Sequence, residues 1–288
     1  MLIRLIPFTL SLAVLLAAAA FPGRADELAD KAKAIFKANQ HSVVTVQLVI
    51  KSKLSLPFMG GQSNESRQDA TASVIDPSGL CVLSLSTTDP GGMVQELLSG
   101  MMPDEDSRMK MDTELSLVRI LLDDGTEVPA EVVLRDKDLD LAFIRPKAKL
   151  AAPLPALDLA NSGKAEVFDQ VVALNRLGSV AGRAYAGSVE RISAVVERPR
   201  LFYVPETSMA TAGLGAPAFT LDGKVLGLFV RRSMKSKSES GVLGLLSNPQ
   251  QAFAAIILPA EDVLKAAKQA PPAGAADDKD KEPEKEKK

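Results

Sequence analysis

Residues 207–230 read TSMATAGLGAPAFTLDGKVLGLFV. Two apolar runs, Ala218–Leu221 and Lys224–Val230, flank Asp222-Gly223. Asp-Gly between such runs marks a β-hairpin, because glycine accepts the positive φ of a tight turn. Upstream lies a loop of small residues, Ala212-Gly213-Leu214-Gly215-Ala216-Pro217, with one leucine at its centre. The same strand–turn–strand grammar recurs outward along the chain. Ala70–Leu85 (ATASVIDPSGLCVLSL) turns at Asp76-Pro77-Ser78-Gly79. Leu115–Leu122 and Val128–Leu134 are joined through Asp123-Asp124-Gly125-Thr126. Ser42–Ile50 alternates, with Val44, Val46, Leu48 and Ile50 on one face. Period-two patterning between turn signals predicts an all-β chain.

Composition narrows what such a chain does. Of 288 residues 24% are charged and 46% apolar, the balance of a packed globular protein, and the formal net charge is -2. With no basic patch, nucleic acid is not an expected partner. A single cysteine, Cys81, excludes internal disulfides and cysteine metal clusters. Cys81 lacks electropositive neighbours in sequence and reads as a small buried hydrophobe. No cofactor or metal site is expected. The single histidine, His41, precedes the first strand and reads as a surface or loop residue. That matters because a Ser-His-Asp relay needs an imidazole titrating near neutrality.

The ends and insertions complete the outline. Residues 1–25 have the form of an export signal: Arg4, an apolar stretch from Leu5 to Ala20, and small residues near Ala25. Secretion or a periplasmic location is expected, with no membrane attachment after cleavage; a retained anchor is the alternative. Residues 26–40 carry Leu28, Ala32, Ile35 and Phe36 at helical spacing. Residues 54–69 read as a polar surface loop. Residues 89–113 hold Met93, Met101, Met102, Met109 and Met111 with an acidic Asp104-Glu105-Asp106 cluster. This segment reads as a cover for a core edge, or as an adaptable contact surface. Ala260–Lys268 is a closing helix, and the mixed-charge tail 271–288 is expected to be disordered.

Three blocks together resemble the HtrA/Deg branch of the chymotrypsin-fold serine peptidases. The loop before the Asp222-Gly223 hairpin is similar to that family's G-N-S-G-G-(P/A), with Leu214 at the position of the nucleophilic serine. The hairpin ending Leu80-Cys81-Val82-Leu83-Ser84 is similar to the strand that leads to the catalytic histidine, and Ser86 stands at that position. Arg135-Asp136-Lys137-Asp138-Leu139-Asp140-Leu141-Ala142 is similar to the segment carrying the triad aspartate, which would be Asp140. The resemblance implies two antiparallel six-stranded β-barrels, about 31–148 and 153–269, within a domain of 26–270 that has short N- and C-terminal helices. The family often continues into a PDZ module; here the mixed-charge tail 271–288 follows instead, and no PDZ module is expected. The resemblance also implies a catalytically dead site, with triad-equivalent positions Ser86, Asp140 and Leu214 and a remnant oxyanion loop at Gly213 and Gly215. Asp140 would then be structural, accepting from Ser86 or Thr87. The expected activity is binding of a protein or extended peptide, with Val225–Val230 as one strand available to it. A homo-oligomer is left open. The alternative is an active serine endopeptidase with an unrecognised nucleophile.

Overall fold

The computed structural model describes residues 24–56, 59–92, 110–206, 213–233 and 253–272. An N-terminal helix, α1 (Arg24–Asn39), leads into the first six strands: β1 (Val43–Leu56), β2 (Met59–Asp76), β3 (Leu80–Ser84), β4 (Lys110–Leu121), β5 (Glu127–Asp136) and β6 (Leu141–Pro146). These close in the order β1-β2-β3-β6-β5-β4. Six more follow: β7 (Gln170–Arg176), β8 (Tyr185–Val196), β9 (Phe202–Pro205), β10 (Pro217–Thr220), β11 (Val225–Ser233) and β12 (Phe253–Pro259). They close as β10-β11-β12-β9-β8-β7, and α2 (Ala260–Ala267) ends the described fold. Neighbouring strands of both barrels pair antiparallel. This is the two-barrel architecture of the chymotrypsin-like fold.

Side-chain alternation explains both the barrels and their union. Inside the first barrel lie Val46, Leu48, Ala72, Val74, Cys81, Leu83, Ile120, Ala142 and Ile144; inside the second lie Val171, Ala173, Ile192, Ala218, Leu226 and Ile257. The intervening residues of the same strands face the other way, and many of them are buried too. Val82, Leu141 and Phe143 meet Val172, Leu174, Phe219, Leu228 and Leu258 in a third cluster between the barrels. Strands buried on both faces must be apolar throughout, which is why LAFI and VVAL run without a polar break. Ile35 of α1 and Val263 of α2 join this same seam. Phe143 and Phe219 are fully buried there, and each stabilises the union by roughly 1.5–3 kcal/mol from area alone.

Turn chemistry places the hairpins. Gly223 has φ 83°, and Gly223 N donates to Thr220 O at 2.8 Å, so Asp222-Gly223 turns β10 into β11. Cys81 is fully buried, its Sγ beside Gly79 O at 3.3 Å; burial pushes its thiol up to about 12, so it is not a nucleophile.

Two expectations are corrected. Residues 59–69 are not a loop: β2 starts at Met59 and pairs with β1 as far as Leu56↔Met59. The pairing Lys51↔Glu65 and Ser52↔Asn64 has polar residues on both strands, so this arm protrudes without burying an apolar face and leaves no alternation to detect. The strand expected from Leu115 begins earlier, at Lys110, so Met111–Thr113 belong to β4 and pair with Leu54–Ser52 of β1. The Met-rich stretch before it, the leader and the charged tail lie outside the described residues. Among the described residues no helix is long and apolar enough to cross a membrane, and no group of three His, Cys, Asp or Glu is placed to hold a metal.

Candidate functional site

Ser84 closes β3 and is fully buried. The chain then tightens into one 3-10 turn, Leu85–Thr87, secured by Thr87 Oγ1 donating to Ser84 O at 2.6 Å. Opposite, the turn between β5 and β6 is built on Asp136, whose Oδ1 accepts from Asp138 N and Leu139 N at 3.0 Å each. It delivers Asp140 with φ 56°, a left-handed conformation that aspartate tolerates better than most residues. Leu85 N donates to Asp140 O at 2.9 Å and joins the two turns.

The Asp140 carboxylate is a convergence point. Oδ1 accepts from Ser86 N at 2.8 Å. Oδ2 accepts from Ser84 Oγ, from Ser86 Oγ at 3.3 Å, and from Arg231 N at 2.8 Å. Ser84 Oγ and Ser86 Oγ are themselves 2.7 Å apart. Burial raises the Asp140 carboxyl above its ordinary value, and the hydrogen bonds from Ser84, Arg231 and Ser86 offset only part of that rise. Burial also draws the Arg231 guanidinium below its ordinary value, with the Asp140 charge acting the other way. The expected acceptance from Ser86 is present; Thr87 instead bonds Ser84 O. The nearness of Ser84 to Asp140 is as the sequence reading has it; the Arg231 amide escaped that reading.

Leu214 sits half-buried in the loop before β10. Its neighbours press this loop onto the first barrel. Ser73 Oγ donates to Gly215 O at 2.9 Å. A Cβ on Gly215 would lie 2.3 Å from Thr71 O, and φ is 88°, so only glycine fits. A Cβ on Gly213 would lie 2.8 Å from the Asn175 side chain, which itself accepts from Thr71 Oγ1 at 2.5 Å. Gly215 N donates to Phe229 O at 2.7 Å. That amide is therefore used within the sheet. Val225–Leu228 is likewise no open strand for a peptide. Leu228 pairs with both Pro217 of β10 and Leu258 of β12, and Gly227 with both Ala218 and Pro259.

His41 belongs to a different network. Its Nδ1 donates to Asp123 Oδ2 at 2.8 Å and lies 3.1 Å from Tyr185 Oη. Tyr185 Oη donates to Asp123, and Arg176 Nη1 reaches Asp123 Oδ1 at 3.1 Å while its guanidinium lies 3.9 Å over the Tyr185 ring. Burial opposes the Asp123 charge, but hydrogen bonds from Tyr185 and His41, with the Arg176 charge, outweigh it and hold the carboxyl below its ordinary value. Burial and the bond to Asp123 push the Tyr185 phenol up, keeping it a proton donor.

Residues 103–228 match the family model described as a trypsin-like peptidase domain. This chain is similar to the trypsin-like peptidases, in sequence there and in fold. The matched span covers Asp140 and Leu214 but not Ser86, which enters through its contact with Asp140. No curated protein matches the chain.

A trypsin-like relay needs one continuous path: carboxylate to imidazole, imidazole to hydroxyl. Here Asp140 is filled by two serine side chains and two backbone amides, while the imidazole of the chain is bound to another carboxylate.

Proposed function

We propose that this protein is an exported, HtrA-like pseudoprotease that binds a protein or extended peptide without cleaving it. The observation that carries the reading is the occupancy of Asp140: its carboxylate accepts from Ser84, Ser86 and Arg231 N where an active relative would orient an imidazole. Leu214 at the nucleophile position offers neither hydroxyl nor thiol. Loss of relay members typically removes several orders of magnitude in rate and leaves only binding and oxyanion effects. The leader-like residues 1–25 support export, and export followed by signal cleavage is part of the proposal.

The test is fluorophosphonate labelling of the purified protein beside cleavage of an unstructured protein, with trypsin as the positive control. No labelling and no cleavage is the expected outcome. Labelling at a mapped serine, abolished with cleavage by a single Ser→Ala change there, would replace this reading by an active endopeptidase. A Ser86→His/Leu214→Ser variant reports how much of the geometry survives: labelling at residue 214 would show that only side chains were lost.

A further inference from the structure

The first barrel is closed by few bonds on one side. β4 and β5 pair only at Arg119↔Pro129, Ile120↔Val128 and Leu121↔Glu127. Beyond that point they part. β4 continues back to Lys110 with β1 as its strand partner, and β5 continues to Asp136 with β6 as its partner. Among the described residues, the facing edges of Leu115–Val118 and Glu131–Arg135 have no strand between them. The gap is an open slot of about 340 Å³, floored by Val118 and Ala130 and rimmed by Arg135, Lys147 and Arg119, the last already paired with Glu127, with Glu131 as the one acid in its lining. Sheet edges left unpaired take extended segments by backbone hydrogen bonding. The rim selects one with negative charge.

One such segment is covalently close. The described chain ends at Pro271-Pro272, and Arg145 Nη2 donates to Pro271 O at 3.2 Å. Arg145 pairs with Glu131 across β6 and β5, so both side chains stand on the same outer face. The chain therefore leaves the domain one strand away from the slot. The sequence that follows is Ala273-Gly274-Ala275-Ala276, then Asp277-Asp278-Lys279-Asp280. Six extended residues from Pro271 reach about 20 Å. Crossing β5 into the slot takes about two strand spacings, roughly 10 Å. Residues 273–276 are small, and the three aspartates that follow are within that reach of the exposed Arg135 and Lys147.

We propose that the β4–β5 slot is a docking site for the chain's own acidic segment 277–280, held by Arg135 and Lys147 at its rim and by the open strand edges. The inference is independent of whether the protein turns over substrate. Tethering makes the encounter intramolecular, so modest contacts suffice to favour this segment over acidic segments of other proteins.

Introduced cysteines in the full chain test it, since buried Cys81 does not compete. A Ser116→Cys/Lys279→Cys variant pairs a slot position with the middle of the acidic segment. Its intramolecular disulfide should form about tenfold or more faster than in a Ser193→Cys/Lys279→Cys control on the exposed face of β8. The advantage should shrink in 1 M salt, where screening shortens to about 3 Å. Arg135→Glu/Lys147→Glu should abolish it, and adding Asp277→Lys/Asp278→Lys/Asp280→Lys to that background should restore it. Equal rates at the two positions, a disulfide that forms only between molecules, or loss without rescue by charge exchange would each overturn the proposal. Faster linkage that ignores both salt and charge would overturn the acidic recognition.

Discussion

Two aspartates at the edges of the barrels divide between them what a serine peptidase gathers at one. Asp140 is mostly buried, faces Ser84, Ser86 and the Arg231 amide, and has its carboxyl raised by burial. Asp123 is half-exposed, faces His41, Tyr185 and Arg176, and has its carboxyl lowered by them. The serines have a carboxylate without an imidazole; the imidazole has a carboxylate without a serine. Each corner ties segments distant in sequence. Asp140 joins β3, the β5–β6 turn and β11. Asp123 joins the end of α1, the β4–β5 turn and the start of β8.

If that division is structural, the two corners differ in what they contribute to stability. Asp140→Ala is the largest expected loss. The two serine hydroxyls can pair with each other at their present 2.7 Å, but Ser86 N and Arg231 N lose their acceptor. Unsatisfied donors at about 1–3 kcal/mol each, together with alanine in a left-handed conformation, put the loss at about 3 kcal/mol. Urea denaturation measures it; a loss under about 1 kcal/mol would deny Asp140 its structural role. Asp123→Ala should cost about 1 kcal/mol, because its partners are solvated and screened, and the cost should fall as salt is added.

The opposed pKa directions sharpen the contrast. Asp140 has its folded value above the ordinary 3.8, so the folded state holds this proton more tightly than the unfolded chain. Its stabilising effect in the protonated form is full below 3.8 and declines as pH rises through the higher folded value. Asp123 has its folded value below 3.8 and behaves in the opposite way: its contribution is full above 3.8 and is lost as pH falls through the lower folded value. Stability measured from pH 3 to 7, with Asp140→Asn and Asp123→Asn as references, should give wild-type-minus-variant slopes of opposite sign. Slopes of one sign would mean that one carboxylate sits in a different environment from that described.

Much of the architecture was legible in the residues. Asp222-Gly223 and the Asp76–Gly79 turn announced their hairpins, and the alternation of Val44, Val46, Leu48 and Ile50 announced the first strand. The arm of β1 and β2 beyond Ile50 was not legible, because Ser63, Asn64 and Glu65 pair through backbone alone and leave no hydrophobic period. The nearness of Ser86 and Asp140 could be anticipated from the two strands that end beside each other. Ser84 was legible for the same reason, since it lies two residues from Ser86. The Arg231 amide and the loss of the Gly215 amide to Phe229 depend on strand register, which local sequence does not state. The Asp123 corner carried no signal at all: His41 and Asp123 are 82 positions apart, and Tyr185 is 144 from His41.

The smallest effect is also the one that best isolates the histidine. His41 is half-exposed, and its replacement by alanine removes one bond to Asp123 while Tyr185 and Arg176 still satisfy that carboxylate. A double-mutant cycle over His41→Ala and Asp123→Ala should therefore give a coupling of about 0.5 kcal/mol at pH 7. A coupling of zero would mean that the Nδ1–Oδ2 contact is not populated in solution. A coupling of several kcal/mol would mean that the corner is shielded from water, and would make it the more consequential of the two carboxylate sites.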